Sequence, residues 1–259
     1  MMGMLSCSDY SKLLKSKNYE AKYVAVNSLY TAGKYSKAIP LLDQLREHYR
    51  YKDTIAFLLQ LSGKCYYETN EYDYAQLFFK DYVENFPRGQ YVEECAYKNL
   101  ECLYKTRYIY ELDQSETIKT VDQIKIYVNM YPNSPYLPQC NDMLDELRKG
   151  LRLKEVSKTK QYFAVGDYRA AVVAAQNTIQ AYPSLENLEE LEHMMVVAQF
   201  NYAENSIRSK KSERFEEVLE LGNDYLRNHN DKNKTHYNEV MALLEKTNKG
   251  LLNLKVNKF

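Results

Sequence analysis

Apolar residues recur along this chain at three- and four-residue spacing, in runs that polar turns interrupt, which predicts amphipathic helices each burying one face. The first pair covers about Tyr19 to Thr31, with Tyr23, Val26 and Tyr30, and about Ser36 to Tyr49, with Ala38, Leu41, Leu42 and Leu45. A second pair spans about Ala56 to Phe86. A third begins near Glu93 and runs through Tyr97, Leu100 and Tyr104, its second helix delayed to about Ser115. The fourth opens with a long helix, about Leu137 to Val165. The fifth runs from about Leu185 through Met194, Val197 and Phe200, crosses a basic loop, Ile207-Arg208-Ser209-Lys210-Lys211, and returns through Arg214, Phe215, Val218 and Leu221. After a polar break, Asn228 to Lys234, a last helix over about His236 to Lys246 caps the set, and the residues beyond Gly250 read as a frayed tail.

The turns repeat as well as the helices. Asn70-Glu71-Tyr72-Asp73-Tyr74-Ala75 is matched by Gly33-Lys34-Tyr35-Ser36-Lys37-Ala38 and by Gly166-Asp167-Tyr168-Arg169-Ala170-Ala171. Gly and Asn tolerate a left-handed backbone, so each of these residues can end one helix. The aromatic and the alanine three positions later share a face of the next helix, where the small residue lets two backbones approach. Pro87 and Pro183 lie twelve positions after Ala75 and Ala171, and Pro132 twelve after Thr120. Proline stops the second helix each time. A hairpin cannot bury its apolar face alone, so repeats of this kind stack as a solenoid. The predicted organisation is an N-terminal tether over 1–17, repeats one to three over 18–132, repeats four and five with the cap over 133–250, and a tail over 251–259. Register matching gives the third turn eight extra residues, within Thr106 to Gln114, ending in the capped start Asp113-Gln114-Ser115-Glu116.

Composition narrows the function classes. Lys and Arg number 35 and Asp and Glu 35, so no basic surface for nucleic acid is implied by net charge. Twenty-six tyrosines without a tryptophan suit helical hairpins that use phenol rings for packing and for contact. The histidines His48, His193, His229 and His236 stand outside metal-ligand spacing, and no Gly-rich phosphate loop or nucleophile motif occurs, so no metal, cofactor or catalytic residue is expected. Cys95 and Cys102 are seven apart on one helix, too far to bridge. Cys65 and Cys102 occupy matching positions on successive first helices and either bond or sit as buried apolar thiols.

The start, Met1-Met2-Gly3-Met4-Leu5-Ser6-Cys7, is apolar with a small residue before the cysteine, and a polar run follows. It looks like the end of a bacterial lipoprotein signal whose earlier part precedes Met1, with Cys7 as the acylated residue.

The hairpin pattern resembles tetratricopeptide repeats. The stretch from Cys7 through Ser16, Leu112-Asp113-Gln114 with Thr117, and Asn205-Ser206 with Lys210-Lys211-Ser212-Glu213-Arg214-Phe215 resemble the BamD family of outer-membrane assembly lipoproteins in its Bacteroidetes form. The resemblance, over Cys7 to about Lys246, implies an all-α tetratricopeptide-repeat superhelix of about five hairpins plus a C-terminal capping helix. It also implies a non-enzymatic scaffold of the barrel-assembly (BAM) complex, anchored by acyl groups on the periplasmic face of the outer membrane. Its implied partners are the periplasmic domains of the barrel subunit BamA, other assembly lipoproteins and unfolded β-barrel proteins. The alternative in the same architecture is a periplasmic repeat lipoprotein that organises cell-wall enzymes or acts in glycan uptake. Asn230 stands where repeat five would carry its proline.

Two surfaces are candidates for binding. In repeats of this class the first helix of each pair lines a groove. Tyr30, Tyr67 and Tyr104 are 37 apart in succession, and Tyr23, Gln60 and Tyr97 keep the same spacing, with Asn27, Lys64 and Glu101 between. Such ladders suit an extended strand with aromatic side chains and a terminal carboxylate; the other reading is that the rings pack between hairpins, and either Tyr66 or Tyr67 must be core. Lys210, Lys211, Glu213 and Arg214 are the candidates for the barrel-subunit interface, or a solvated charge run. The lengthened third turn is a further candidate.

Overall fold

The computed structural model describes residues 7–106, 113–183 and 188–256, which form twelve helices with no strand among them. After α1 (Cys7–Lys15) come five hairpins: α2 (Tyr19–Thr31) with α3 (Tyr35–Tyr49), α4 (Thr54–Glu68) with α5 (Tyr72–Asn85), α6 (Val92–Thr106) with α7 (Ser115–Met130), α8 (Leu137–Ala164) with α9 (Tyr168–Ala181), and α10 (Leu188–Glu204) with α11 (Arg208–Asn228). The last helix is α12 (Thr235–Val256). This is an all-α tetratricopeptide-repeat fold. It divides into two compact units, 1–147 and 148–259, with the division inside α8.

Three hairpin turns are built alike. Gly33, Asn70 and Gly166 have φ of 68°, 62° and 79°. The next residue's N–H reaches back five positions, from Lys34 to Leu29 O (2.8 Å), Glu71 to Tyr66 O (2.9 Å) and Asp167 to Tyr162 O (3.0 Å), which satisfies carbonyls that the helix end leaves open. A ring pair then closes each turn edge-on: Tyr30 on Tyr35 at 5.5 Å, Tyr67 on Tyr72 at 5.4 Å, Phe163 on Tyr168 at 5.8 Å. Ala38, Ala75 and Ala171 are buried at the crossings, as their size and spacing require.

Four of the five second helices also share an ending. Phe86, Tyr131, Tyr182 and His229 have φ between −134° and −122°, and each N–H donates to a carbonyl four residues back at 2.8–2.9 Å. His229 adopts this geometry although Asn230 replaces the proline, so packing around Tyr225, 2% exposed, ends α11 without it.

In the first unit, Val26, Leu29, Leu41, Leu42, Leu45 and Leu58 form one core and Phe78, Phe79 and Tyr82, with Cys95 and Cys102, another. Lys22 is only 2% exposed; its ammonium donates to the carbonyl of Leu14 in the last turn of α1 (3.3 Å) and to Gln44, which holds α1 on α2 and α3. The second unit is filled by Ala171, Val172 and Ala198, by Val196, Val240, Leu243 and Leu244, and by Phe215 and Val218.

Two expectations are corrected. The basic loop 207–211 is not a loop: Arg208 to Lys211 are the first turn of α11, with Ile207 in the extended conformation before it. The last helix does not stop at Lys246, and no frayed tail begins after Gly250. Gly250 lies so close to the Phe215 ring that a Cβ would stand 3.0 Å from it, and Leu251 and Leu254 pack over Phe215, so α12 runs to Val256. Of the lengthened third turn, Arg107, Tyr108, Tyr110, Glu111 and Leu112 lie outside the described residues; at its end Asp113 accepts from the Ser115 amide (3.3 Å) and hydroxyl (3.0 Å).

Candidate functional site

In the first unit, α4 and α6 face each other through polar side chains. Lys64 Nζ lies 2.7 Å from Glu94 Oε1, and Gln60 Nε2 donates to Glu94 Oε2 at 3.1 Å. Further along, Lys98 Nζ meets Glu101 Oε2 at 2.5 Å and stands 4.2 Å from the centre of the Tyr67 ring. The Glu101 carboxylate, held by Lys98, also lies near the Tyr67 and Tyr97 hydroxyls, so one carboxylate acts on two rings and a lysine. The Tyr97 ring stacks on Tyr136 at 4.1 Å with 4° between planes. Tyr104 donates to Glu146 on α8.

The electrostatics follow from this packing. Burial, and then the neighbouring Glu101, push the Tyr67 and Tyr97 phenols well above the ordinary tyrosine value, so both stay protonated donors. Lys64 and Lys98 are each matched by a carboxylate, and the four side chains of the two pairs are 19–27% exposed. Pairs this shielded are screened less by salt than surface ones. The belt therefore has its charges cancelled locally, with the half-buried Tyr67 ring as its accessible aromatic surface. A terminal carboxylate would have to displace Glu94 to reach Lys64.

The predicted ladder residues are thus only partly together. Gln60, Lys64, Tyr67, Tyr97 and Glu101 join one network through Glu94 and Lys98, which the sequence reading did not single out. Lys98 was within reach, being three residues before Glu101 on one helix. Glu94 had no such signal, because its partners are on another helix. Gln60 and Tyr97 are buried, at 3% and 5% exposure. Tyr23 packs on Phe57 at 5.8 Å, and the Asn27 amide donates to the Tyr23 carbonyl of its own helix at 3.0 Å. Tyr30 and Tyr67 close their own turns. Tyr66 and Tyr67 are both half-buried, with Tyr66 stacked on Tyr74 and Phe78, so neither alone is core.

The thiols are inert. Cys65, Cys95, Cys102 and Cys140 are free and buried; burial pushes the first three up to about 12 and Cys140 to about 11. Cys65 and Cys102 are not bonded to each other. The side chain of Cys7, in the first turn of α1, lies outside the described residues.

A second surface lies in the other unit, where α9, α10 and α11 enclose a groove of about 500 Å³ lined by Arg169, Val173, Gln199, Tyr202, Lys210 and Arg214 among others. The Arg214 guanidinium stacks 3.9 Å from the centre of the Tyr202 ring and donates to Ser206. Lys210 pairs with Glu213 at 2.8 Å, on the same wall, and holds that carboxyl below its usual range. Lys211 pairs with Glu204 at 3.3 Å. Among the described residues no helix is long and apolar enough to cross a membrane, and no group of His, Cys, Asp and Glu is arranged to hold a metal ion.

Residues 15–215 match the family model YfiO, described as an outer membrane lipoprotein. No match was found among curated proteins. Of solved structures, the TPR domain of P58(IPK) is 14% identical with TM-score 0.43, covering 95% of this chain and 69% of that one. The TPR2AB domain of yeast Sti1, in complex with pHSP90, is 17% identical with TM-score 0.40, covering 89% and 98%. A TPR-repeat protein from Bacteroides fragilis is 8% identical with TM-score 0.38, covering 90% and 99%.

Proposed function

The chain belongs to the YfiO family of outer membrane lipoproteins, and from that membership, carried by the match over residues 15–215, we propose that it is a non-enzymatic scaffold of outer-membrane β-barrel assembly. In this reading Cys7 carries the acyl groups that hold the protein on the periplasmic face of the outer membrane. The groove of α9, α10 and α11 takes a periplasmic domain of the barrel subunit, with Lys210, Glu213 and Arg214 available to pair across the interface and Arg214 already held by Tyr202 and Ser206. Preorganised charges of this kind set orientation and encounter rate more than raw affinity.

The α2, α4 and α6 face takes the unfolded barrel protein. The half-buried Tyr23, Asn27, Tyr30, Tyr67 and Tyr104 suit the backbone and aromatic side chains of an extended segment, while the paired charges leave little preference for its net charge. Purification of the chain from detergent-solubilised envelope is expected to bring the barrel subunit with it, and Arg214→Glu with Lys210→Glu to reduce that yield at least tenfold. A labelled terminal strand of a barrel protein is expected to bind about tenfold more weakly to a chain carrying Tyr30→Ala and Tyr67→Ala, at unchanged helicity by circular dichroism. Equal affinity would remove the polypeptide-binding role of this face, and failure to capture the barrel subunit would remove the assembly role itself.

A further inference from the structure

Three of the four histidines of this chain meet where α12 begins. His193 of α10 and His236 of α12 stack face to face, ring centres 4.1 Å apart and planes 9° from parallel. His193 is half-buried and its Nε2 lies 3.0 Å from Glu239 Oε2, an ion-pair distance rather than an aligned hydrogen bond. His229, at the end of α11, pairs with Glu192 of α10. Around them, Glu189 of α10 accepts from Lys234 of the α11–α12 connection at 2.6 Å and from the Tyr225 hydroxyl of α11 at 3.3 Å, and Asp231 lies near Lys234.

His229 and Lys234 each face a carboxylate of α10, whereas the stack sets one imidazole on another. A single proton on the stacked pair is matched by Glu239. A second would place two cations ring to ring, with one carboxylate between them and burial opposing both charges. Lys234 and Glu189 do not change in this range, since Lys234 holds the Glu189 carboxyl below its usual value. Of these described groups it is the stack that loses by acidification, and the stack joins α12 to α10.

We propose that the His193–His236 stack is an acid-sensitive latch, through which α12 is held on α10 and α11 at neutral pH and let go at its N-terminal end as the pH falls below about 6.5. Release uncovers the apolar face that α12 covers, formed around Val196 and Tyr225. Burial, followed by the charge of His236, already lowers the affinity of His193 for a proton. The sign follows: a histidine whose docked value is depressed favours the docked state above its free value of about 6.5, and that preference fades as the pH falls below it. One such histidine raises the opening equilibrium by up to about tenfold between pH 7.5 and 5.5.

Hydrogen exchange of the full-length chain, corrected for the intrinsic pH dependence of exchange, tests this. Peptides covering 235–245 are expected to open about three- to tenfold more at pH 5.5 than at 7.5, with those of α4, α5 and the α10–α11 hairpin unchanged. His193→Phe, which keeps a ring on His236 but cannot ionise, is expected to remove most of that pH dependence while preserving protection at pH 7.5. Glu239→Gln, which removes the balancing carboxylate and leaves both rings, is expected to enlarge the opening at pH 5.5 relative to that at 7.5. Opening equal at both pH values, a pH dependence retained by His193→Phe, or loss of protection spread through the whole 148–259 unit would each overturn the latch.

Discussion

The second and third hairpins, before residue 148, are packed with rings and thiols, whereas α9 after it packs small aliphatic residues and its unit carries histidine and carboxylate pairs at the rim. All five cysteines belong to the first unit, and the four described are buried there. That unit stacks its second and third hairpins through Phe79, Tyr82, Tyr97 and Tyr127 and joins α4 to α6 through Lys64 and Gln60 on Glu94. In the second unit, α9 presents Ala171, Val172, Ala174 and Ala175, and the polar links across helices include His229 to Glu192, Lys234 to Glu189 and Lys160 to Glu190. One turn geometry thus serves two interiors, one packed largely with rings and thiols and one with small aliphatic residues and histidine–carboxylate pairs at its rim.

Backbone approach gives the largest test of that contrast. A Cβ on Gly63 of α4 would stand 2.6–2.9 Å from three atoms of the Phe79 ring, which is fully buried, while one on Gly222 of α11 would meet chiefly the Cδ2 end of Leu244, also at 2.6 Å. Gly63→Ala is expected to cost about 2–3 kcal/mol, because overpacking against a fixed ring exceeds the roughly 1 kcal/mol that alanine returns in a helix. Gly222→Ala is expected to cost about 1 kcal/mol or less, since a leucine can turn away. Urea unfolding followed by helicity measures both, and equal costs would break the contrast. The next effect is smaller. Tyr97→Phe removes a hydroxyl from the belt around Glu101 and is expected to cost about 1 kcal/mol. Tyr225→Phe, at the 3.3 Å bond to Glu189, is expected to cost about 0.5 kcal/mol or less, because Lys234 still satisfies that carboxylate. The smallest concerns the shared turns. Asn70→Gly and Gly166→Asn are expected to move stability by about 0.5 kcal/mol or less, in opposite directions, since both residues accept a positive φ.

The turns were readable because their causes are local. Left-handed residues at 33, 70 and 166, an aromatic two positions on and an alanine after it are demands that a few neighbouring atoms make on each other. The start of α11 misled because Lys210 and Lys211 look like loop residues, yet Ile207 in extended conformation and the first-turn pair Lys210–Glu213 begin a helix there. The length of α12 was hidden for a related reason. Gly250 reads as a breaker in isolation and is in fact the place where Phe215 needs room.

The sequence by itself determined the repeat: where each chain reversal falls, which residue types make it, and which helix faces are apolar, because these depend on backbone conformation and on spacing along one helix. Only the tertiary structure decided which side chains meet across helices. Lys64 finds Glu94, Tyr97 finds Tyr136 and His193 finds His236 through the rotation and offset of packed helices, and a shift of one residue in that packing turns each side chain about 100° away from its partner.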